Sequence, residues 1–217
     1  MPAGRRRSDP ISVNRPQPIE MQRSTVLASL NCDGRLGVAL LGCLALLCVL
    51  AAGGPQWVQA LRYERGAIVQ GEWWRLVTGH WVHLGARHLL LDAAGLVLLW
   101  SLYARELRLY DWLIVLVCAT VAIDAGLWWG EPQIQWYVGI SGLLHGAWAA
   151  GAAAVALRHG RHGWLMLAML AGKLLLEQRA GASLLDTAMP VVTAAHVYGA
   201  LGGLSAVAAL ALARKPL

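Results

Sequence analysis

Six apolar runs dominate the 217-residue sequence, at roughly Leu36–Ala52, His88–Ala104, Trp112–Trp129, Val138–Leu157, Gly163–Leu176 and Val191–Ala213. About 20 apolar residues in a helix cross a ~30 Å hydrocarbon layer. Inside lipid the backbone must satisfy its own hydrogen bonds, so helices are expected over these runs. With 58% hydrophobic and only 14% charged residues, the chain has too little charge to cover the surface of a water-soluble domain of this length. The expected fold class is therefore all-α, a polytopic membrane protein of six transmembrane helices. The fifth run is the shortest and contains Lys173, four residues before Glu177; pairing or snorkelling near a helix end accounts for both.

A net charge of +6 could suggest nucleic acid. The basic residues are instead scattered between apolar spans, with no basic patch interleaved with aromatics, so no nucleic-acid partner is expected. Their distribution reads as topology. The N-terminal tail, the connections after the second and fourth spans (Arg105, Arg108, Arg158, Arg161) and the C-terminus carry twelve Lys and Arg, against five on the opposite side. That bias puts both termini in the cytoplasm. Residues 1–35 are expected to form a cytoplasmic, disordered tail that does not look like a cleaved signal. Residues 36–213 then form the membrane domain, and 214–217 a cytoplasmic C-terminus. The long connection Gly53–Arg87 holds Trp57, Trp73, Trp74 and Trp81, too aromatic for a solvated loop, and is expected to fold into the outer interface. Cys32, Cys43, Cys48 and Cys118 have no zinc-like spacing and read as small buried hydrophobes.

Polar residues within spans are costly and so are candidates for function. Gly139-Ile140-Ser141-Gly142 opens the fourth run on the outer side, where a helix N-terminus offers unpaired N–H groups to a developing oxyanion. By itself this motif fits packing as well as catalysis, because Gly142, Gly146 and Ala150 make a small-residue stripe. His196 lies near the outer start of the sixth run, with Ala195, Gly199 and Gly203 forming a second stripe on which that helix can lie close to the fourth. A neutral imidazole there would suit a general base for Ser141. His145, one turn after Ser141, could pack on His196 as a structural neighbour. Trp74-Arg75, His80, His83, His88 and Asp92 lead into the second run; His88 and Asp92 share one helical face. Three histidines and a carboxylate are metal-ligand types, but no HExxH spacing or cysteine joins them, and no metal is expected.

Together, Gly139-Ile140-Ser141-Gly142, His196-x-x-Gly199, Trp74-Arg75 and His88-x-x-x-Asp92 resemble the rhomboid intramembrane proteases, over roughly Leu36 to Ala213. The resemblance implies Ser141 as nucleophile and His196 as base, without a third acidic member. It implies an oxyanion site made by the Ser141 N–H and His88, supported by Gly139 and Gly142. The family has asparagine where this chain has Asp92. Gly139-Ile140-Ser141-Gly142-Leu143-Leu144-His145-Gly146 and Thr78-Gly79-His80-Trp81-Val82-His83-Leu84 look most like the rhombosortase branch. That branch is associated with exported proteins bearing a C-terminal Gly-Gly sorting tail. The resemblance further implies transmembrane protein substrates, a lipid bilayer as surroundings, no cofactor, and a bacterial inner membrane with the site toward the periplasm. Two rivals are a rhomboid-like pseudoprotease, which Asp92 favours, and a transporter built on Asp92, Asp124 and Lys173.

Overall fold

The computed structural model describes residues 26–181 and 191–214. Of the tail expected to be disordered over residues 1–35, residues 1–25 lie outside the described residues, as do the last three of the chain. Residues 26–35 correct the expectation, because residues 26–29 are helical and buried Asn31 is tied to the second apolar run, its Nδ2 donating to Ser101 O (2.8 Å) and its carbonyl accepting from Trp100 Nε1 (2.9 Å). Long helices occur where the apolar runs stand: α1 (Gly34–Ala52), α5 (Ala86–Tyr103), α6 (Leu109–Ala125), α7 (Ser141–His159), α8 (Arg161–Ala180) and α9 (Thr193–Ala213). A π turn at Gly126–Gly130 prolongs α6. Between α1 and α5 lie three short helices, α2 (Gly54–Leu61), α3 (Arg65–Val69) and α4 (Arg75–Thr78).

Four of these helices are long and apolar enough to cross a membrane: α1, α5, α6 with its π turn, and α9. The composition of α7 has a packing reason. Its Gly- and Ala-rich sequence buries Gly142, Leu143, Leu144, His145, Gly146 and five further small residues plus Val155, because α5, α6, α8 and α9 all pack against it. A helix walled by protein gains from small side chains that let backbones approach, rather than from bulky apolar ones that face lipid. The outer helix α1 is the converse: of its nineteen residues only Gly37, Leu40 and Leu47 are buried.

The closest seam runs between α7 and α9. A Cβ added to Gly199 would meet Gly142 O, and one added to Gly203 would meet Gly146 O, each nearer than 3.0 Å. Both stripes read from the sequence thus face each other. On the side away from Ser141, Asp33 beside α1 pairs with Arg105 after α5, and Arg214 after α9 pairs with Asp111 in the first turn of α6. Asp33 and Arg214 therefore lie on one side of the bundle, at the connection between α5 and α6.

The Gly53–Arg87 connection is folded, as its tryptophans suggested. Two strands that the helical reading did not anticipate, β1 (Tyr63–Glu64) and β2 (Trp136–Tyr137), pair antiparallel with Tyr63 opposite Tyr137. Two-residue strands carry no periodicity, so no pattern in the sequence signals them. Arg65 follows β1 and donates to the carbonyls of Leu127 (2.7 Å) and Trp128 (3.0 Å), at the π turn. Buried Arg75 donates to Gln59 O (2.8 Å) and Arg62 O (3.0 Å) and pairs with Glu72. Arg65 thus ties the connection to the end of α6, next to the loop that delivers Ser141, while Arg75 fastens the connection to itself.

Candidate active site

Ser141 is the first residue of α7, so the helix begins three residues later than the run starting at Val138 suggested. The cause is Gly139, whose φ of 110° breaks the helix. This conformation suits glycine, and a Cβ there would also lie 2.7 Å from the His88 ring. The turn is held from two sides: Gly139 N–H donates to Gly79 O at 3.1 Å, and the Tyr137 hydroxyl donates to Gly139 O at 2.6 Å. Burial pushes the Tyr137 phenol well above its ordinary range, so it stays a hydrogen-bond donor. Placing Ser141 at a helix start leaves its own N–H outside the intrahelical ladder.

Across the glycine seam, His196 Nε2 lies 3.0 Å from Ser141 Oγ. The imidazole is 2% exposed. Its other nitrogen, Nδ1, is 2.9 Å from Glu177 Oε2, and Glu177 Oε1 is 2.7 Å from Lys173 Nζ. Lys173 Nζ also lies 2.8 Å from His145 Nε2, while His145 Nδ1 donates to Ser141 O at 2.7 Å. The ring of His145 stacks on that of His196, centroids 4.0 Å apart and planes 12° off parallel.

Glu177 was missed as a site residue. The sequence suggested a span ending at Leu176, with Lys173 and Glu177 as a pair near its end. Helix α8 instead continues to Ala180, and Glu177 is fully buried against His196. A carboxylate one residue beyond an apolar run is compatible with a solvated helix end; only the packing of α8 beside α7 and α9 turns it inward.

His88 and Asp92 lie one turn apart on α5, as expected, with His88 Nε2 3.4 Å from Asp92 Oδ2. The structure adds His83, whose Nε2 is 3.0 Å from the same oxygen. Asp92 thus accepts from His83 and has the His88 imidazole within ion-pair distance of the same oxygen. An Asn in its place keeps one acceptor oxygen and the same shape. Asp92→Asn is therefore expected to stay within about tenfold of the parent in activity, with His88→Ala losing about 100-fold or more, the size of an oxyanion-donor loss. Cleavage rates of the two variants check this; an Asp92→Asn protein as inactive as Ser141→Ala would assign the carboxylate a direct part.

Two cavities meet at Ser141 and His88. One, of about 310 Å³, runs along Gln133–Val138 to Leu84 and Val192; the other, of about 180 Å³, is walled by Leu91, Leu144, Trp148, Lys173 and His196. An extended chain lying through both would pass over the Ser141 hydroxyl.

Among the described residues, two groups gather three metal-donor types within 4.8 Å: His83, His88 and Asp92, and His145, Glu177 and His196. In the second, the Lys173 ammonium occupies His145 Nε2, so a cation there would meet a fixed positive charge. In the first, Asp92 already bridges both imidazoles. The polar groups named for a transport pathway are engaged separately: Asp124 with His80 at 3.3 Å, Asp92 with His83 and His88, and Lys173 with Glu177 and His145.

A helical membrane bundle with a serine and histidine in contact beneath one face is the class that fold and site define. Residues 70–213 match the Rhomboid domain model, and the chain belongs to the rhomboid family. It is also 26% identical over 140 residues to a Bacillus subtilis protein described as "Putative rhomboid protease YdcA", covering 63% of this chain. The chain spans 66% of that relative's length, just under two thirds.

Proposed function

We propose that the chain is an intramembrane serine endopeptidase with Ser141 as nucleophile and His196 as general base. The observation that carries this reading is the 3.0 Å contact between Ser141 Oγ and His196 Nε2, made across two helices that touch at glycines. Ser141 Oγ adds to the scissile carbonyl carbon as its proton passes to Nε2; collapse of the tetrahedral species breaks the C–N bond, and the same proton leaves on the amine. Water then repeats the sequence on the acyl-enzyme. The Ser141 N–H and His88 would receive the oxyanion, with Gly139 and Gly142 keeping the backbone open beside it. The test free of any assumed substrate is a fluorophosphonate probe, which should label the parent at Ser141 and leave Ser141→Ala unlabelled. An unlabelled parent would refute the reading.

In this reading α7 and α8 also span the bilayer, giving six spans over residues 36–213. In the same reading the membrane is a bacterial inner membrane, and the Lys and Arg bias puts residues 1–35 and 214–217 on the cytoplasmic side and Ser141 toward the periplasm. Reporter fusions after Gly160 should then sit in the cytoplasm and fusions after Glu131 outside. The opposite pattern would turn the site to the cytoplasm.

The substrate proposal is an exported protein whose C-terminal tail carries Gly-Gly, one apolar span and a basic cluster, as in the rhombosortase branch. A transmembrane helix satisfies its own backbone and resists attack, so the cut needs a helix-breaking stretch at the depth of Ser141. Glycine disfavours helix and admits close approach. Co-expressing a reporter with such a tail should yield a new C-terminus near the glycines by mass spectrometry, and replacing both glycines with leucine should block it. Equal cleavage of the leucine tail would leave a protease without this selectivity.

A further inference from the structure

We infer that Glu177 is the positioning residue of His196, so that the site works as a serine–histidine–glutamate triad rather than the two-residue arrangement that the family resemblance implies. The inference rests on the protease reading above and adds a third member to the same site.

Hydrogen-bond logic sets the arrangement. Lys173 is only a donor, so His145 Nε2 must accept from it; His145 Nδ1 then carries the proton that goes to Ser141 O. Glu177 receives Lys173 on Oε1 and the Nδ1–H of His196 on Oε2. His196 is thereby held as the tautomer whose Nε2 lone pair faces Ser141 Oγ, the only one able to take the hydroxyl proton. The contacts close a ring from Ser141 through His196, Glu177, Lys173 and His145 back to Ser141.

Burial gives the ring its force. Glu177 is 0% exposed, and a buried carboxylate requires partners for its oxygens. Lys173 on the preceding turn supplies the opposite charge, and the remaining oxygen is committed to the base. When Ser141 Oγ bonds to the carbonyl carbon, the carbonyl electron pair moves onto its oxygen and the hydroxyl proton goes to His196 Nε2. The resulting imidazolium keeps its Nδ1–H on Glu177, whose negative charge stabilises it without taking that proton. His145, already occupied at both nitrogens, acts as a flat wall that keeps the His196 ring from turning.

The test uses the full-length protein in detergent micelles and the rate of fluorophosphonate labelling at Ser141. Three variants are compared with the parent: Glu177→Gln, Glu177→Asp, and Lys173→Met with Glu177→Gln together. Glu177→Gln should label at least about 100-fold more slowly, since an amide can hold the wrong tautomer. Glu177→Asp should recover part of the rate. The double variant removes both charges of the pair, so it restores labelling if Glu177 serves only to neutralise Lys173, and stays slow if it positions His196. The imidazole Nδ1–H proton resonance of ¹⁵N-histidine protein should appear at low field in the parent and in Ser141→Ala, and vanish in the double variant. Parent-like labelling of Glu177→Gln or of the double variant would overturn the inference while leaving Ser141 as nucleophile, as would a folded parent lacking the low-field resonance. A parent that fails to label at Ser141 would remove both readings together.

Discussion

Ser141→Ala and His196→Ala are each expected to abolish proteolysis, with residual rates at least about 1,000-fold below the parent, and the double variant no worse than either. The non-additivity follows from a single shared proton. Without His196 the Ser141 hydroxyl has no base at 3.0 Å, and without Ser141 the imidazole has nothing to activate. Neither change should prevent folding, because both residues lie on helices held by other contacts. Ser141 is set by the Gly139 turn, and α9 lies on α6, α7 and α8 through Ala195, Gly199, Ala200 and Gly203. His196→Ala leaves Glu177 beside Lys173, so the carboxylate keeps one charged partner. Cleavage of a tail-bearing reporter, with melting curves of the purified variants, checks both halves. Substantial activity in Ser141→Ala would end the assignment.

Gly199→Leu is expected to be the most damaging substitution outside the polar ring. A Cβ at Gly199 would overlap the carbonyl of Gly142, a backbone atom that cannot swing aside as a flexible side chain can. The helices must then separate, at an overpacking cost of about 1–3 kcal/mol or more. A displacement near 1 Å between Ser141 and His196 costs about 100-fold in rate even where folding survives. Gly199→Ala should show the same direction with a smaller loss. Gly42→Ala and Gly172→Ala are the controls, since a Cβ at either meets nothing within 4 Å, and both should stay near parent activity and melting temperature. Parent-like cleavage by Gly199→Leu would mean that α7 and α9 do not need to touch for Ser141 and His196 to meet.

Much of the site was legible because its signals are local. Ser141 stands between glycines at the start of an apolar run, His196 is a polar residue inside another, and small residues recur every four positions beside each. Each observation was ambiguous alone; their common depth and matching stripes linked them. His88 and Asp92 could be placed on one face because a four-residue spacing on a helix does that unaided. The contribution of His83 could not, since it comes from a loop whose path no periodicity encodes. The ribbon between β1 and β2 was hidden for the same reason.

Glu177 marks the boundary most clearly. In the sequence it pairs with Lys173 four residues earlier, and that local explanation is correct as far as it goes, since their side chains are 2.7 Å apart. What the local pattern could not supply is the second carboxylate oxygen, which reaches His196, nineteen residues further along the chain. The amino-acid sequence by itself determined the solvent, the helices, the small-residue faces and the serine and histidine singled out within the spans, because hydrophobic length, glycine and polarity act within one turn or one span. Only the tertiary structure decided which helix ends face inward, where α7 begins, and which partners His196 holds. Those depend on three helices meeting at one point, where burial makes a carboxylate choose its neighbours.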